Sequence, residues 1–341
     1  MHIHRVKIVA DAAIPFLDGR LNPFADVLSL PAAEITREAV KDADALIIRT
    51  RTKCNAALLE GSSVKMIATA TIGTDHIDLT WCRDNGIAVA NATGCNAPGV
   101  AQWVWSTILS LGYEADKTTV GVIGVGNVGT IVAEWGRGLG FRMRLNDPPR
   151  SKAGENPPFG RWTSLTDVLH SADIITLHTP LTRSGEFPTH HLIDEKRLRA
   201  LRHGALVLNA ARGGIVDEEA LSALSASGRL NAVIDTWMDE PAINRAMLAT
   251  SLLATPHIAG YSLEGKQRAT RMALEAIGRF FGFTPDVSGL EPAYVPFTPT
   301  AEQILNSYSP ADDSLRLFTS PENFEKLRSE YIYRHEPKPI R

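Results

Sequence analysis

Few local patterns restrict a chain's architecture as tightly as a β-branched run that ends in a glycine-rich turn and opens into a helix. Residues 119–135, TVGVIGVGNVGTIVAEW, have that form, with Gly124, Gly126 and Gly129 in GxGxxG spacing and Asn127 and Val128 inside the turn. The three glycines serve different ends: the first allows a tight turn, the second an open approach for a pyrophosphate, the third close packing of helix on strand. The free N–H groups at the helix start suit an anion. Asp147 closes the next strand-like run, FRMRLN, where an acid can bind ribose hydroxyls and repel the extra phosphate of NADP. The cofactor expected here is therefore NAD, with Arg150 just downstream as the one feature favouring NADP.

The rest of the chain extends this unit into a parallel sheet and repeats the plan. Short apolar runs, VKIVA, DALIIR, VKMIATA and GIAVA, alternate with helix-like stretches before residue 96. A second series follows Val120 through DIITLH, ALVLNA, NAVIDTW and LLATPHIAG. That rhythm predicts α/β architecture: two doubly wound parallel-sheet (Rossmann-like) domains. A helix capped by Asn96, with Pro98 near its start, links them, and SLEGKQRATRMALEAIGRFF is a further helix whose position suggests a return to the first. The expected division is residues 1–96 with 263–282, residues 97–262, and a small C-terminal dimerisation segment, 283–341. In that segment SPENFEKLRSEY predicts a helix capped by Ser320, whose Phe324, Leu327 and Tyr331 face a partner subunit.

Charge and cysteine usage narrow the partners. With 35 Lys and Arg against 38 Asp and Glu, interspersed to a net charge of -3, the chain offers no electrostatic footprint for nucleic acid or an anionic bilayer. No run approaches the roughly 18 apolar residues of a membrane span. The stretch from Met1 to Asp11 is too short and wrongly flanked for a secretory signal. The three cysteines, Cys54, Cys82 and Cys95, form no CxxC pair and read as packing residues in a reducing, cytoplasmic setting. No metal site is expected.

Three polar residues follow strand-like runs in the second series: Arg212 in NAARGGIVD, Glu240 in DTWMDEP and His257 in TPHIAGYS. Oxidising a 2-hydroxy acid needs a base for the hydroxyl proton, a cation for the carboxylate and a nearby hydride acceptor. Histidine exchanges protons at working pH. Glu240 is placed to orient the imidazole and favour its charged form. Arg212 offers a planar fork matched to a carboxylate. Taken singly, the three also read as a surface ion pair, a helix-start acid and a satisfied interior histidine.

Together with the glycine turn, these residues resemble the D-2-hydroxyacid dehydrogenase family, through RTRTKCN, TATIGTDHID, GVIGVGNVG, NDPPR, LHTPLT and TPHIAGYSLEGK over residues 5–282, and more weakly through FEKLRSEY. The resemblance implies that Arg212, Glu240 and His257 are catalytic. It implies that Asp147, Thr179, Ala210, Ala211, Arg212, Asp235 and Gly260 surround NAD, with Asp235 near the nicotinamide amide. It implies a homodimer acting on a phosphorylated 2-hydroxy acid, with Thr50, Thr71 and Tyr261 contacting substrate. Thr93 departs from the pattern, where proline is expected, and the C-terminal segment is short.

A phosphorylated substrate needs a local basic site. IIRTRTK sets Arg49, Arg51 and Lys53 at alternate positions, on one side if the segment is extended, with a solvated loop as the plain alternative. Two other readings stay open: the same chemistry on another acid such as 3-phosphoglycerate, and a dinucleotide-sensing binding protein without turnover.

Overall fold

The computed structural model describes residues 5–339, so Met1 to His4 of the N-terminal stretch lie outside the described residues. The chain forms two compact units, Met1–Asn96 with Leu263–Tyr294, and Ala97–Ser262 with Val295–Arg341.

In the first unit, strands β1 (Val6–Asp11), β2 (Ala25–Leu30), β3 (Ala45–Ile48), β4 (Met66–Thr69) and β5 (Ala88–Asn91) form a parallel sheet in the order β2-β1-β3-β4-β5. Side chains alternate between faces along a strand. Ile8, Ile47 and Ala68 therefore pack with Ala273, Leu274 and Ile277 of the helix Leu263–Phe281, while Val9, Leu46 and Ile67 pack on the other face with Cys54, Leu58 and Cys82. Burial on both faces is why β3 and β4 read as unbroken apolar runs. The Arg268 guanidinium donates to the Cys95 carbonyl at 2.8 Å inside this unit. All three cysteines are buried as free thiols, and burial, aided by nearby Cys82, pushes the Cys54 thiol up to about 12.

In the second unit, β6 (Thr119–Ile123), β7 (Arg142–Asn146), β8 (Ile174–Leu177), β9 (Leu206–Asn209), β10 (Asn231–Ile234) and β11 (Leu253–Ala254) are all parallel, in the order β11-β10-β9-β8-β6-β7. Their register is what builds the site. Asn146 pairs with Ile123, Ile123 with Leu177, Leu177 with Asn209, Asn209 with Ile234, and Ile234 with Ala254. The last residue of every strand thus stands in one row, and whatever follows each strand emerges at a single carboxyl edge. The order turns outward on either side of β6, which makes the crevice where open α/β sheets take their ligands.

Residues 283–341 are shared between the units: those up to Tyr294 cluster with the first, and those from Val295 onward with the second. The physical reason is burial. Leu317 and Phe324 enter the core formed by β8 to β10, and Leu327 packs against it. Ser314 accepts the Ala254 N–H at 2.9 Å, satisfying the exposed edge of β11. Trp135 donates its indole N–H to the Phe297 carbonyl at 2.8 Å. The Phe324 and Leu327 face expected to meet a partner subunit is therefore turned into the chain's own core.

Two expected helix caps are not made. Asn96 precedes the helix Ala97–Ser110, but its Oδ1 is buried with no hydrogen-bond partner. Ser320 makes no side-chain cap because it also closes the helix Pro310–Thr319, its N–H donating to the Arg316 carbonyl at 3.1 Å.

Candidate active site

At the end of β6, Gly124 adopts φ +86°, and a Cβ there would lie 2.8 Å from the His178 carbonyl carbon. A Cβ on Gly129 would overlap the Gly124 carbonyl, whereas Gly126 faces open space. The turn, the close packing and the open approach fall on the three glycines as a dinucleotide phosphate requires. Asp147, half-buried after β7, accepts from the Val125 N–H at 2.8 Å and the Arg150 N–H at 3.1 Å, so its carboxylate is held beside the turn. Thr179, after β8, keeps a buried hydroxyl with no partner. These groups fit a dinucleotide at this edge. Arg150, the feature that favoured NADP, is occupied: Nε donates to Glu155 at 2.7 Å and Nη1 to the Val125 carbonyl.

After β9, Asn209 folds the next three residues back on themselves. Its Oδ1 accepts from the Ala211 N–H at 3.1 Å and its Nδ2 donates to the Arg212 carbonyl at 2.9 Å. Gly213 then lies so close to the Trp237 carbonyl that any Cβ would overlap it. The loop holding Ala210, Ala211 and Arg212 is thereby pressed against the loop that leads to Glu240.

Glu240, after β10, and His257, after β11, come together. His257 Nδ1 lies 2.8 Å from Glu240 Oε2 and 3.0 Å from Oε1. Nδ1–H donates to the carboxylate, which leaves Nε2 for another partner. Burial acts to raise the Glu240 carboxyl, but the hydrogen bond and charge of His257, the Trp237 N–H and Arg328 together hold it below the ordinary carboxylate value. His257 has φ +56°, a left-handed conformation unusual outside glycine, asparagine and aspartate. Asp235 supports it: the buried carboxylate accepts from Thr255 Oγ1 at 2.6 Å and from the Ile258 and Ala259 N–H groups at 2.8 and 3.1 Å, and the Asp235 carbonyl accepts the His257 N–H. Gly260 and Tyr261 continue the same loop.

In the first unit, the basic segment after β3 is a turn, closed by the Thr52 N–H on the Arg49 carbonyl at 3.3 Å. Arg49, Arg51 and Lys53 therefore do not form one extended row. Arg49 donates to the buried Asp11 carboxylate at 3.0 Å, while Thr50, Arg51 and Lys53 are exposed. Thr71 hydrogen-bonds Thr69 at 2.6 Å, and Thr69 contacts His76 Nε2 at 3.3 Å.

Three residues with a bearing on the site escape sequence reasoning. Arg328 and Arg334 lie far along the chain, with nothing local to connect them to His257. Glu218 has one signal, the acidic start of a helix at VDEEAL. It accepts the Met238 N–H at 2.6 Å, and burial, reinforced by Asp239 and Glu240, pushes its carboxyl up to about 7 from an ordinary 4.5. The folded chain then holds a proton that the unfolded chain has lost across that window. The stabilising contribution is complete below pH 4.5 and lost as pH rises through about 7. Glu218→Gln, which keeps the acceptor and cannot ionise, is expected to flatten the fall in urea midpoint between about pH 5 and 7.5. An undiminished slope would place the titrating group elsewhere.

The chain belongs to the D-isomer specific 2-hydroxyacid dehydrogenase family, whose NAD-binding domain model matches residues 97–259. Within that family it is similar to erythronate-4-phosphate dehydrogenases. That of Bacteroides thetaiotaomicron is 46% identical, with 98% of each chain covered, and that of Escherichia coli is 38% identical, with 97% of this chain and 92% of the relative covered. Among solved structures, 3-phosphoglycerate dehydrogenase of Entamoeba histolytica superposes with TM-score 0.68 at 24% identity, covering 86% of this chain and all of that one, a likeness of fold.

Proposed function

We propose that this chain oxidises 4-phospho-D-erythronate to (R)-3-hydroxy-2-oxo-4-phosphooxybutanoate with NAD, a step towards pyridoxal 5'-phosphate (vitamin B6), as a cytoplasmic homodimer. The observation that carries the reading is the pair of His257 and Glu240, 2.8 Å apart on the same sheet edge as the glycine turn. The full-length similarity to erythronate-4-phosphate dehydrogenases supports this substrate over 3-phosphoglycerate.

When bound at that edge, NAD supplies the acceptor for the hydride leaving C2. His257 accepts the C2 hydroxyl proton at Nε2. Glu240 holds the opposite ring nitrogen, fixes the tautomer and stabilises the imidazolium as it forms. Arg212 grips the substrate carboxylate and its neighbouring oxygen, so that the bond to be broken is oriented before reaction. Gly124, Gly126, Asn127, Val128 and Gly129 hold the pyrophosphate, and Asp147 the ribose. Thr179, Ala210, Ala211, Asp235 and Gly260 complete the cofactor contacts. Thr50, Thr71 and Tyr261 contact substrate, with Arg51 beside Thr50 as phosphate ligand. Arg49, committed to Asp11, contributes by holding that turn.

For the homodimer, the support is an apolar surface on the C-terminal segment: Leu305, Leu315, Phe318 and Ile332 are exposed there. Among the described residues no helix is long and apolar enough to cross a membrane.

The direct test is mass-spectrometric detection of the 2-oxo product from 4-phospho-D-erythronate and NAD, with a 2-oxo acid added to recycle any retained NADH. Product appears on this reading. Turnover of 3-phosphoglycerate alone would keep the dehydrogenase and discard the vitamin B6 assignment, and no hydride transfer to any 2-hydroxy acid would leave a dinucleotide-binding protein.

A further inference from the structure

The loop carrying His257 is held from two sides. Asp235 takes its N–H groups from within the sheet, and its carbonyls are taken by the C-terminal segment. Arg334, buried, donates through Nη1 to the Ile258 carbonyl at 3.0 Å and the Tyr261 carbonyl at 3.4 Å, through Nη2 to the Gly99 carbonyl at 3.1 Å and to the Ala259 carbonyl, and through Nε to Gln102 at 2.9 Å. Two residues on, Glu336 accepts from Ser262 at 2.6 Å. The segment that reaches the loop with a fully engaged guanidinium also brings a second one to the proton-transfer pair.

We infer that Arg328 is a positioning residue for that pair, holding the Glu240 carboxylate that orients His257 for proton transfer. The inference deepens the dehydrogenase reading and rests on it. Arg328 Nη1 lies 3.7 Å from Glu240 Oε2, the oxygen closest to His257, and 3.1 Å from Glu325 Oε1. Tyr261 is a further group whose interaction acts on the Arg328 guanidinium. Only 19% of the side chain is exposed, and the helix Phe324–Ser329 that carries it is anchored by Phe324, 1% exposed in the core. The separation from Glu240 is that of two charges in register without a full hydrogen bond.

The consequence is electrostatic. Glu240 alone would favour the imidazolium, which cannot accept a proton. A second cation beside the same carboxylate competes with the imidazolium for that charge. The other charged and titratable groups around the pair are Glu218 and Asp239 beside Glu240, Asp235 facing His257, Arg334 on the carbonyls of the loop that follows His257, Glu325 on Arg328, and Tyr261. Only the ionised acids favour the imidazolium, and burial raises the Glu218 and Asp235 carboxyls towards their neutral forms; Arg328 is the cation set 3.7 Å from Glu240 against them.

The test compares wild type, Arg328→Met and Arg328→Lys. In Arg328→Met the rising limb of the kcat profile for alcohol oxidation is expected to move to higher pH by roughly half a unit or more, with KM for NAD unchanged. Arg328→Lys, which restores the charge, is expected to return the limb towards its wild-type position. The same displacement is expected, without substrate, in the pH dependence of the ring-nitrogen NMR signals of His257. A limb left in place, whether activity is intact or lowered equally at every pH, would overturn the assignment and leave Arg328 a packing residue. Failure of wild type to oxidise 4-phospho-D-erythronate would overturn the substrate reading alone, since the NMR comparison still decides the role of Arg328.

Discussion

Replacing His257 with alanine is expected to lower turnover by roughly 100- to 10,000-fold, the usual worth of a positioned acid-base group, with little change in NAD affinity. The separation of the two effects follows from the sheet. The glycine turn and Asp147 leave β6 and β7, while His257 follows β11 at the other end of the same edge, so truncating the imidazole removes a proton acceptor without touching the phosphate or ribose positions. The backbone needs its own control, because His257 sits at φ +56° and any change there risks moving the loop. His257→Asn supplies it, since asparagine tolerates that conformation well and has no basic nitrogen. Both variants are expected to show the same loss in kcat, measured with NAD affinity read from quenching of the native tryptophans. Turnover within a few-fold of wild type in both would remove His257 from the mechanism, and recovery in His257→Asn alone would make its role conformational.

What the sequence discloses here divides along physical lines. Strands such as ALII, MIAT and LVLN are legible because a parallel sheet buried on both faces demands unbroken apolar runs. Strand β2, ADVLSL, does not stand out: it is an edge strand with a mixed burial pattern, and only its pairing with β1 declares it. The glycine turn is legible because each glycine answers a local steric demand. The basic segment reads as an extended row, and the structure corrects this. Alternation of residue types says nothing about a turn closed by the Thr52 N–H, or about Asp11 arriving from a neighbouring strand to claim Arg49. Arg212, Glu240 and His257 can be proposed as catalytic from residue chemistry, but what brings the strands before them to one carboxyl edge is the register row from Asn209 through Ile234 to Ala254. Arg328 and Arg334 have no signal at all, since a buried arginine and a solvated one look alike until the groups each serves are known.

Arg212→Lys is the second large effect, and it separates charge from shape. The backbone at this position is fixed by neighbours the substitution leaves alone: Asn209 ties Ala211 and Arg212 by side-chain hydrogen bonds, and Gly213 is packed on the Trp237 carbonyl. Part of the guanidinium is also used internally, Nη1 donating to the Ala211 carbonyl at 2.7 Å, which sets the plane of the fork. Lysine in the same place brings a positive charge but neither that orienting bond nor two parallel donors. Losing one charge-assisted bond to the substrate carboxylate, about 1.5 to 3 kcal/mol, corresponds to roughly 10- to 150-fold in kcat/KM. If orientation is the main role, the loss appears in kcat as well as KM, because a carboxylate held at one point leaves the C2 hydrogen free to swing away from its acceptor. Arg212→Met, without charge or fork, is expected to fall further. Wild-type kinetics in Arg212→Lys would assign the residue to holding its loop, and a rise in KM with kcat intact would mean that it binds the carboxylate without orienting it.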